Sequence, residues 1–540
     1  MSNAATPTRP QTIARAAMLV AVVTVLARLI GFVRVLVFAR AVGPSCLGDT
    51  YFTANAIPNI LFDVVAGGAL ASLAVPLLAP SVERGDGEAS DRTASALLCW
   101  TLLILVPLMV LVAVLAHPLV AALVGNGHPG CSASLERSVG ARMLIVFAPQ
   151  VVLYGVGIVL TGVLQAHRRF AGPALAPLLS SLVVIGSYVM FALIADRRET
   201  SLTSLTRSHE LVLSVGTTLG VVMLTLPLFL PLRGTGRRLQ MTLRFPAGIA
   251  GSARRLAVSG AIALGAQDLA TAAILRLAND RGDHGAVVLY NLAWSVFVVP
   301  WAVLAVPVAT AAFPALSAQW AAGDSGGYAA LTARGARTVL LAATGAAALM
   351  LAVASPAARV LVVGAPGHVA PGVLTRALIA FAPGLIGYGL VAFLTRAHYA
   401  RGDSKTAAVA AAAGWTVVVV VDVVLAIALP RDWTVAALGI GTSVGMTIAG
   451  AWLATSLRRS IGSTVLAGTG RALAAGVAAA LVAAGVGAVI AVALPNAGPS
   501  LSVAITAIVG AATLGIFLGV ASMLDRPTVR LVMRRRATDG

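Results

Sequence analysis

Long apolar runs recur along the whole of this 540-residue chain and constrain its fold more than any other feature. Breaks at proline, glycine and clusters of charge separate fourteen runs, each about long enough to cross the roughly 30 Å hydrocarbon core of a bilayer as a helix. A soluble protein could not bury so many hydrophobic side chains, which make up 59% of the sequence against 11% charged residues. We therefore predict an all-α polytopic membrane protein with 14 transmembrane helices, at 16–42, 51–80, 95–123, 139–165, 173–195, 209–232, 252–278, 286–316, 335–354, 375–398, 406–429, 434–457, 470–493 and 500–524.

The basic residues indicate which ends of these helices face the cytoplasm. Twenty-five of them lie in one alternate set of loops and the tails, against nine in the opposite set. Cytoplasmic loops carry the excess of arginine and lysine, so we expect both termini in the cytoplasm. The first run is too long for a signal peptide, so we expect no cleaved leader. The charge lies in loops and does not follow one face, so the net charge of +19 does not indicate nucleic-acid binding.

The chain also contains an internal repeat. The motif Phe147-Ala148-Pro149, with Tyr154-Gly155 and Leu160-Thr161, returns 234 positions later as Phe381-Ala382-Pro383, Tyr388-Gly389 and Leu394-Thr395. Six predicted helices separate the copies, so the two halves have parallel topology, as in transporters that bind substrate between two lobes. We predict two pseudo-symmetric six-helix lobes plus two C-terminal helices: a tail at 1–15, an N-lobe at 16–232, a cytoplasmic linker at 233–251, a C-lobe at 252–457, helices 13 and 14 at 470–524, and a basic tail at 525–540.

Three arginines in the first run are unusual for a lipid-facing helix. Arg40 is close to the helix end and can extend to the interface, whereas Arg28 lies roughly 18 Å into the span. An unpaired arginine near the bilayer centre costs on the order of 2.5–3.5 kcal/mol. A bend at Gly31 would turn Arg28 and Arg34 towards one cavity. Arg28 and Arg34 could be paired structurally inside a helix bundle, or they could line a buried anion-binding cavity. We favour the cavity.

The same cavity would collect further polar side chains. Asp49 lies at the outer mouth of the second helix, and Asn55, Asn59 and Asp63 share one face of it at spacing i, i+4, i+8. The carboxylate and the two amides are suited to orienting the arginines. Planar guanidinium groups engage phosphate oxygens in pairs. We therefore predict an anion-binding substrate site made of Arg28, Arg34, Arg276, Asp49, Asn55 and Asn59.

Intramembrane carboxylates suggest how transport is driven. Asp268 and Asp422 are either paired structurally or bind a cation, because a lone charge is costly in lipid. With the Thr442 hydroxyl they would suit a hard monovalent ion, so we predict a cation-coupling site of Asp268, Asp422 and Thr442. Na+, H+ and the membrane potential all remain candidate driving forces.

Other kinds of site find no support. The sequence contains no catalytic triad, phosphate-binding glycine loop or paired-carboxylate signature, so we expect no enzyme and no organic cofactor. The three cysteines form no CxxC or Cys/His ligand set, so we expect no metal site. Cys46 and Cys131 both fall in loops predicted outside the membrane, where either a disulfide or two free thiols is compatible with the sequence.

Several short motifs of the chain form a recognisable set: Arg28-x-x-Gly31-Phe32-x-Arg34, Asp49-x-Tyr51-Phe52, Pro58-Asn59, Gly68-Ala69 followed by Val75-Pro76-x-Leu78, and Pro314-x-Leu316-Ser317. Together they resemble the MurJ/MviN family of lipid II flippases, in the multidrug/oligosaccharidyl-lipid/polysaccharide (MOP) exporter superfamily. The resemblance implies that the arginines hold the undecaprenyl-pyrophosphate of lipid II in an alternating-access cavity, where Asp49, Asn55 and Asn59 would orient them or bind sugar hydroxyls. It implies that helices 13 and 14 form a groove for the prenyl tail. It also implies a place in the bacterial plasma membrane, a role in peptidoglycan biosynthesis, and cell-wall synthesis proteins as partners.

Two departures from the family pattern bear on the substrate. Phe62-Asp63 stands where the family often has a basic residue, and no arginine lies near Ser295 on the eighth helix; Arg276 is the candidate replacement. A flippase for another polyprenyl-linked glycan and a MATE-like small-molecule antiporter stay open as alternatives. A membrane glycosyltransferase would need catalytic carboxylates in a sizeable loop, and no predicted loop supplies them.

Overall fold

The protein is helical throughout the part of the chain that the structure describes. This computed structural model describes residues 10–63, 77–78, 81–82, 84, 86–167, 169–195, 202–233, 242–243, 249–493 and 499–534. Within them, ten helical segments are long and apolar enough to cross a membrane, and an eleventh if a bent helix pair counts as one span. The prediction of a multi-pass, all-α membrane protein is confirmed. The count of fourteen stays a prediction, because parts of the first, second and seventh spans lie outside the described side chains.

The chain divides into two compact units. Unit 1 comprises residues Met1–Val42, Thr50–Val124 and Ser132–Asp268. Its core contains Leu78, Leu97, Val159, Leu160 and Leu228, all nearly inaccessible. The helices up to the end of this unit are α1 (Pro10–Ala41), α2 (Cys46–Phe62), α3 (Gly87–Val114), α4 (Ala116–Val124), α5 (Ala133–Phe147), α6 (Pro149–Ala166), α7 (Ala171–Ile194), α8 (Arg207–Thr225), α9 (Phe229–Arg233) and α10 (Ile249–Arg281), the last of which continues into unit 2.

Unit 2 comprises Gly43–Asp49, Gly125–Cys131 and Leu269–Gly540. Its largest described core packs Tyr328, Phe393, Leu394, Leu453 and Leu457 together. The helices after α10 are α11 (Ala286–Pro300), α12 (Val306–Ala321), α13 (Ser325–Val362), α14 (Pro371–Phe381), α15 (Gly384–Ala400), α16 (Ser404–Ala428), α17 (Thr434–Ile461), α18 (Thr469–Ala493), α19 (Pro499–Leu524) and α20 (Arg526–Arg534).

Local sequence explains where several helices begin. Asp86, Asp324 and Asp403 each precede a helix, and each carboxylate accepts a hydrogen bond from a backbone N–H of the first turn. A side-chain acceptor at this position satisfies a donor that the helix itself leaves unpaired. Loops of only a few residues can therefore join long apolar helices.

The repeated Phe-Ala-Pro motif interrupts a helix in both units. Helix α5 ends at Phe147 and α6 starts at Pro149, while α14 ends at Phe381 and α15 starts at Gly384 with a bend of 43°. Proline lacks an N–H and its ring clashes with the preceding turn, which accounts for both breaks. The sequence repeat thus corresponds to a repeated structural feature.

Most of the linker expected at 233–251 lies outside the described residues, so it stays a prediction. The boundary between the two compact units is at another place. It falls after Asp268, inside α10. Two short segments of the first half, Gly43–Asp49 and Gly125–Cys131, belong to unit 2. A disulfide and helix-capping contacts, described below, explain why they do.

Candidate functional site

Arg28 and Arg34 of α1 lie in unit 1. Arg28 is exposed and Arg34 is half-buried. Within the described residues, neither side chain forms a hydrogen bond or an ion pair. Both guanidinium groups are therefore available to a ligand, as the cavity reading requires. Arg40 is exposed near the end of the helix, where the sequence places it close to the interface.

Arg34 faces a set of tyrosine hydroxyls. It lies within electrostatic range of the Tyr51, Tyr154 and Tyr188 hydroxyl groups. The Tyr51 hydroxyl is 2.8 Å from that of Tyr188 and 2.7 Å from Thr217 Oγ1. These contacts join helices α2, α7 and α8 and hold the Tyr51 and Tyr188 hydroxyls in position.

The polar face of α2 continues this site. The Asn59 side-chain amide donates to the Asn55 carbonyl oxygen at 2.8 Å, while Asn55 Oδ1 has no hydrogen-bond partner among the described residues. Asp63 comes one residue after the helix ends and is half-buried. Asp63 and Arg34 both lie within electrostatic range of Tyr154.

A cavity of about 380 Å³ adjoins that region. It is lined by Phe62 and Tyr154, whose rings are 4.6 Å apart, and by residues of α6, α7 and α8 that include Gln165, Pro177 and Thr225. Its walls are mostly apolar, with few polar groups. Such a lining is suited to covering an apolar part of a ligand whose charge is held elsewhere.

The three predicted cation-coupling residues do not all lie in one unit. Asp268 is buried in unit 1, with Asp63 as an electrostatic neighbour and no hydrogen bond to its Oδ2 from any described residue. Asp422 is fully buried in unit 2, where both carboxylate oxygens lack hydrogen-bond partners within the described residues. The Thr442 hydroxyl donates to the Leu438 carbonyl of its own helix at 2.9 Å. Coupling at these residues stays a prediction.

Arg276 is engaged in an ion pair. Its Nη1 is 3.0 Å from Asp280 Oδ1, one turn further along α10. Asp280 also accepts from the Asn126 backbone N–H at 3.2 Å, and the guanidinium packs against Gly125, which leaves no room for a Cβ there. The structure therefore gives Arg276 a role in holding the Gly125–Cys131 segment, and we leave it out of the site proposed below.

Asp49 caps backbone N–H groups at the start of α11 in unit 2. It is fully buried, and its carboxylate accepts backbone hydrogen bonds from Gly285 at 2.5 Å and from Val288 at 3.0 Å. The His128 imidazole Nε2 lies 3.5 Å from Asp49 Oδ2. A carboxylate enclosed in this way has little capacity for sugar hydroxyls, so Asp49 is also left out of the proposed site.

The positions of Cys46 and Cys131 show which of the two alternatives for these cysteines applies. Cys46 and Cys131 form a disulfide, with Cα atoms 5.9 Å apart. It joins the two segments of the first half that pack into unit 2. Cys99 is a free thiol.

Sequence reasoning missed the tyrosines as site residues. Tyr51 lies in one of the family motifs and Tyr154 in the internal repeat, but neither motif indicates what the hydroxyl group does. Tyr188 stands in a plain apolar run. Its hydroxyl becomes informative only when the fold brings it to Tyr51, 137 positions away in the sequence.

Comparison with known proteins identifies similar chains. The family model described as "Lipid II flippase MurJ" matches residues 38–508. The lipid II flippase MurJ of Burkholderia cenocepacia is 29% identical over 181 residues, which cover 33% of this chain and 34% of that protein. The probable lipid II flippase MurJ of Vibrio cholerae is 35% identical over 114 residues, or 21% of each chain. The alignments thus span about a third or less of the length of these curated relatives.

Solved structures share the fold over a greater length. A structure titled "Lipid II flippase MurJ, inward closed conformation" superposes with a TM-score of 0.74 at 18% identity, covering 95% of this chain and all of that one. An inward-facing multidrug resistance MATE family transporter of the MOP superfamily gives 0.66 at 14% identity, covering 81% of this chain and 95% of the other. At these identities the likeness establishes the fold alone.

Proposed function

Because the chain belongs to the lipid II flippase MurJ family, we propose that it moves lipid II from the inner to the outer leaflet of the bacterial plasma membrane by alternating access. The observation that carries the proposal is the state of Arg28 and Arg34. Both are cations on a membrane helix, and neither has a protein partner among the described residues. Such arginines are costly in lipid unless a ligand or a wet cavity compensates them.

The charge of the substrate explains why arginine is used. A pyrophosphate diester carries two negative charges, which cannot cross about 30 Å of hydrocarbon unaided. Guanidinium groups can engage phosphate oxygens through paired donors, whereas ammonium acts as a point charge. In this proposal, Arg28 and Arg34 hold the pyrophosphate.

The neighbours of Arg34 suit the remainder of a glycolipid headgroup. The amides of Asn55 and Asn59 provide both donors and acceptors for sugar hydroxyls. The fixed tyrosines contribute an aromatic wall with polar edges. The adjoining cavity of about 380 Å³ would cover an apolar portion of the substrate.

Helices α18 and α19 fit the prenyl tail. They pack against each other and expose large apolar side chains, among them Leu481, Val489 and Ile508. Exposed aliphatic surface of this kind is compatible with a polyprenyl chain at the lipid boundary. We propose the tail groove on 470–524.

Coupling to a monovalent cation completes the proposal. Asp422 is buried in an apolar helix and has no hydrogen-bond partner in the part of the chain that the structure describes, so in this proposal it is either protonated or bound to a cation. Asp268 provides a second buried carboxylate, in unit 1. We propose that one or both bind Na+ or H+ during transport, with the membrane potential as the alternative source of energy.

Translocation in proteoliposomes tests the substrate. The purified protein is reconstituted with fluorescent lipid II, with an undecaprenyl-phosphate-linked sugar, or with a cationic drug, and the arrival of each at the opposite face is measured. We expect movement of lipid II. Movement of the monophosphate glycolipid alone would indicate a flippase for another glycan, and movement of the drug alone would indicate an antiporter.

A further inference from the structure

A second cavity, of about 330 Å³, lies in unit 2, and no residue of the proposed transport site lines it. Its walls are the turns that precede α11, α14 and α17, together with Pro129. The volume is at the lower end of the range for small-molecule sites in proteins. Five titratable side chains line it: Asp283, His284, His368, Arg431 and Asp432.

One of these charges is already neutralised. The Asp432 carboxylate accepts from Arg376 Nη2 at 2.7 Å, and the same guanidinium lies over the Trp433 ring at 4.9 Å. By contrast, the side chains of Asp283 and Arg431 form no hydrogen bond or ion pair within the described residues. Asp283 is therefore an anion, and Arg431 a cation, that a ligand in the cavity can pair with.

The histidines are held in defined positions. His284 Nε2 is 3.2 Å from the Gly367 carbonyl oxygen. Since a carbonyl only accepts, Nε2 is the donor in this contact. His368 has φ of 52°, a conformation that side-chain-bearing residues seldom adopt. Such strain persists where surrounding structure enforces it and is common at ligand sites.

The backbone around the cavity leaves little freedom. Pro44 lies between two turns that contain Gly285 and Gly367. These glycines have φ of 85° and 94°. A Cβ on either glycine would collide with Pro44. Only glycine satisfies both the dihedral angle and the close approach, so the turns that present His284 and His368 are preorganised.

We propose that this cavity binds a small zwitterionic, peptide-like ligand, with its carboxylate at Arg431 and His368 and its ammonium at Asp283. A ligand with a single charge would leave either Arg431 or Asp283 without a counterpart. The carboxylate is favoured further by the N-terminus of α14, which has no side-chain cap from the described residues. This site lies beyond the proposed transport function. In the orientation proposed above it faces the outside of the cell.

Binding to the purified protein in nanodiscs tests the site without any transport step. The probe is alanyl-alanine, titrated calorimetrically beside N-acetyl-alanyl-alanine, which lacks the ammonium, and alanyl-alanine amide, which lacks the carboxylate. We expect saturable binding of the zwitterion and binding at least about tenfold weaker for each blocked form, as loss of a hydrogen bond to a charged group predicts.

Variants assign the two ends of the ligand. Arg431→Gln should reproduce the loss seen with the amide, and Asp283→Asn the loss seen with the acetylated form. Asp283→Glu should retain binding, because it keeps the charge. Arg359→Gln removes an arginine that does not line the cavity and should leave binding unchanged.

Absence of saturable alanyl-alanine binding, or equal binding of the blocked dipeptides, would overturn the proposal. Neither result would bear on lipid II translocation, which is measured separately. Conversely, failure of translocation would leave the binding result intact.

Discussion

The carboxylate of Asp422 lies directly against the backbone of Gly441, at a place where a Cβ would collide with Asp422 Oδ1. Both residues are buried where α16 and α17 pack against each other. Glycine at 441 thus creates the space that the carboxylate occupies. Two tests of coupling follow from this contact.

Substituting Asp422→Asn should abolish the dependence of transport on the coupling ion while leaving the protein folded. The amide has nearly the same shape but cannot carry the charge. The measurement is initial translocation rate in proteoliposomes with Na+ and pH gradients imposed separately. An unchanged ion dependence would remove Asp422 from the coupling mechanism.

Gly441→Ala should impair the same coupling without altering the carboxylate itself. The added methyl group would displace Asp422 from its present position. Gly186→Ala is the matched control, because a Cβ at Gly186 meets no atom within 4 Å. Equal ion dependence in both variants would contradict this account of the contact.

The disulfide should stabilise the folded protein. Removing it through Cys46→Ser with Cys131→Ser should lower the free energy of unfolding by about 2–4 kcal/mol, the usual range for a native disulfide. Thermal unfolding in detergent measures the effect. Cys99→Ser, which removes a free thiol, is the control and should be close to neutral.

Asp403 should contribute stability that disappears in acid. Burial alone would raise the pKa of this carboxyl, but hydrogen bonds from Thr406 and His398 outweigh it and hold the pKa below its usual range. The stabilisation is therefore present above the unfolded pKa of about 3.9 and is lost as pH falls through the lower folded value. Asp403→Asn should lower the melting temperature at neutral pH, and the difference should narrow towards pH 3.

Orientation can be tested at two exposed positions in a Cys99→Ser background. The proposed topology places Ala322 in the cytoplasm and Ser204 outside, and both are exposed. A membrane-impermeant thiol reagent should label Ser204→Cys, but not Ala322→Cys, in intact cells. The opposite pattern would reverse the proposed orientation.

Much of the fold could be predicted from sequence because hydropathy and proline act locally. The apolar runs located the helices, and the repeated Phe-Ala-Pro motif coincides with two helix breaks. The ion pair between Arg276 and Asp280 could also be predicted from the sequence, since Asp280 lies four residues later on the same helix. We had instead expected a substrate role, because hydropathy alone placed the arginine deep.

The capping role of Asp49 could not be found in this way. Its partner Gly285 lies 236 positions away, and no periodicity links the two. The same applies to the hydroxyl contact between Tyr51 and Thr217, 166 positions apart. Polar contacts between distant helices depend on packing, which sequence patterns do not encode directly.

Translocation by arginine variants tests the central claim most directly. Wild type, Arg28→Ala, Arg34→Ala, Arg28→Lys and Arg34→Lys are reconstituted at matched amounts of folded protein, and lipid II flipping is measured. Each alanine variant should abolish flipping, and lysine should restore only part of it, because it keeps the charge but loses the paired donors. Full activity in both alanine variants would contradict the anion-binding cavity and assign Arg28 and Arg34 a structural role.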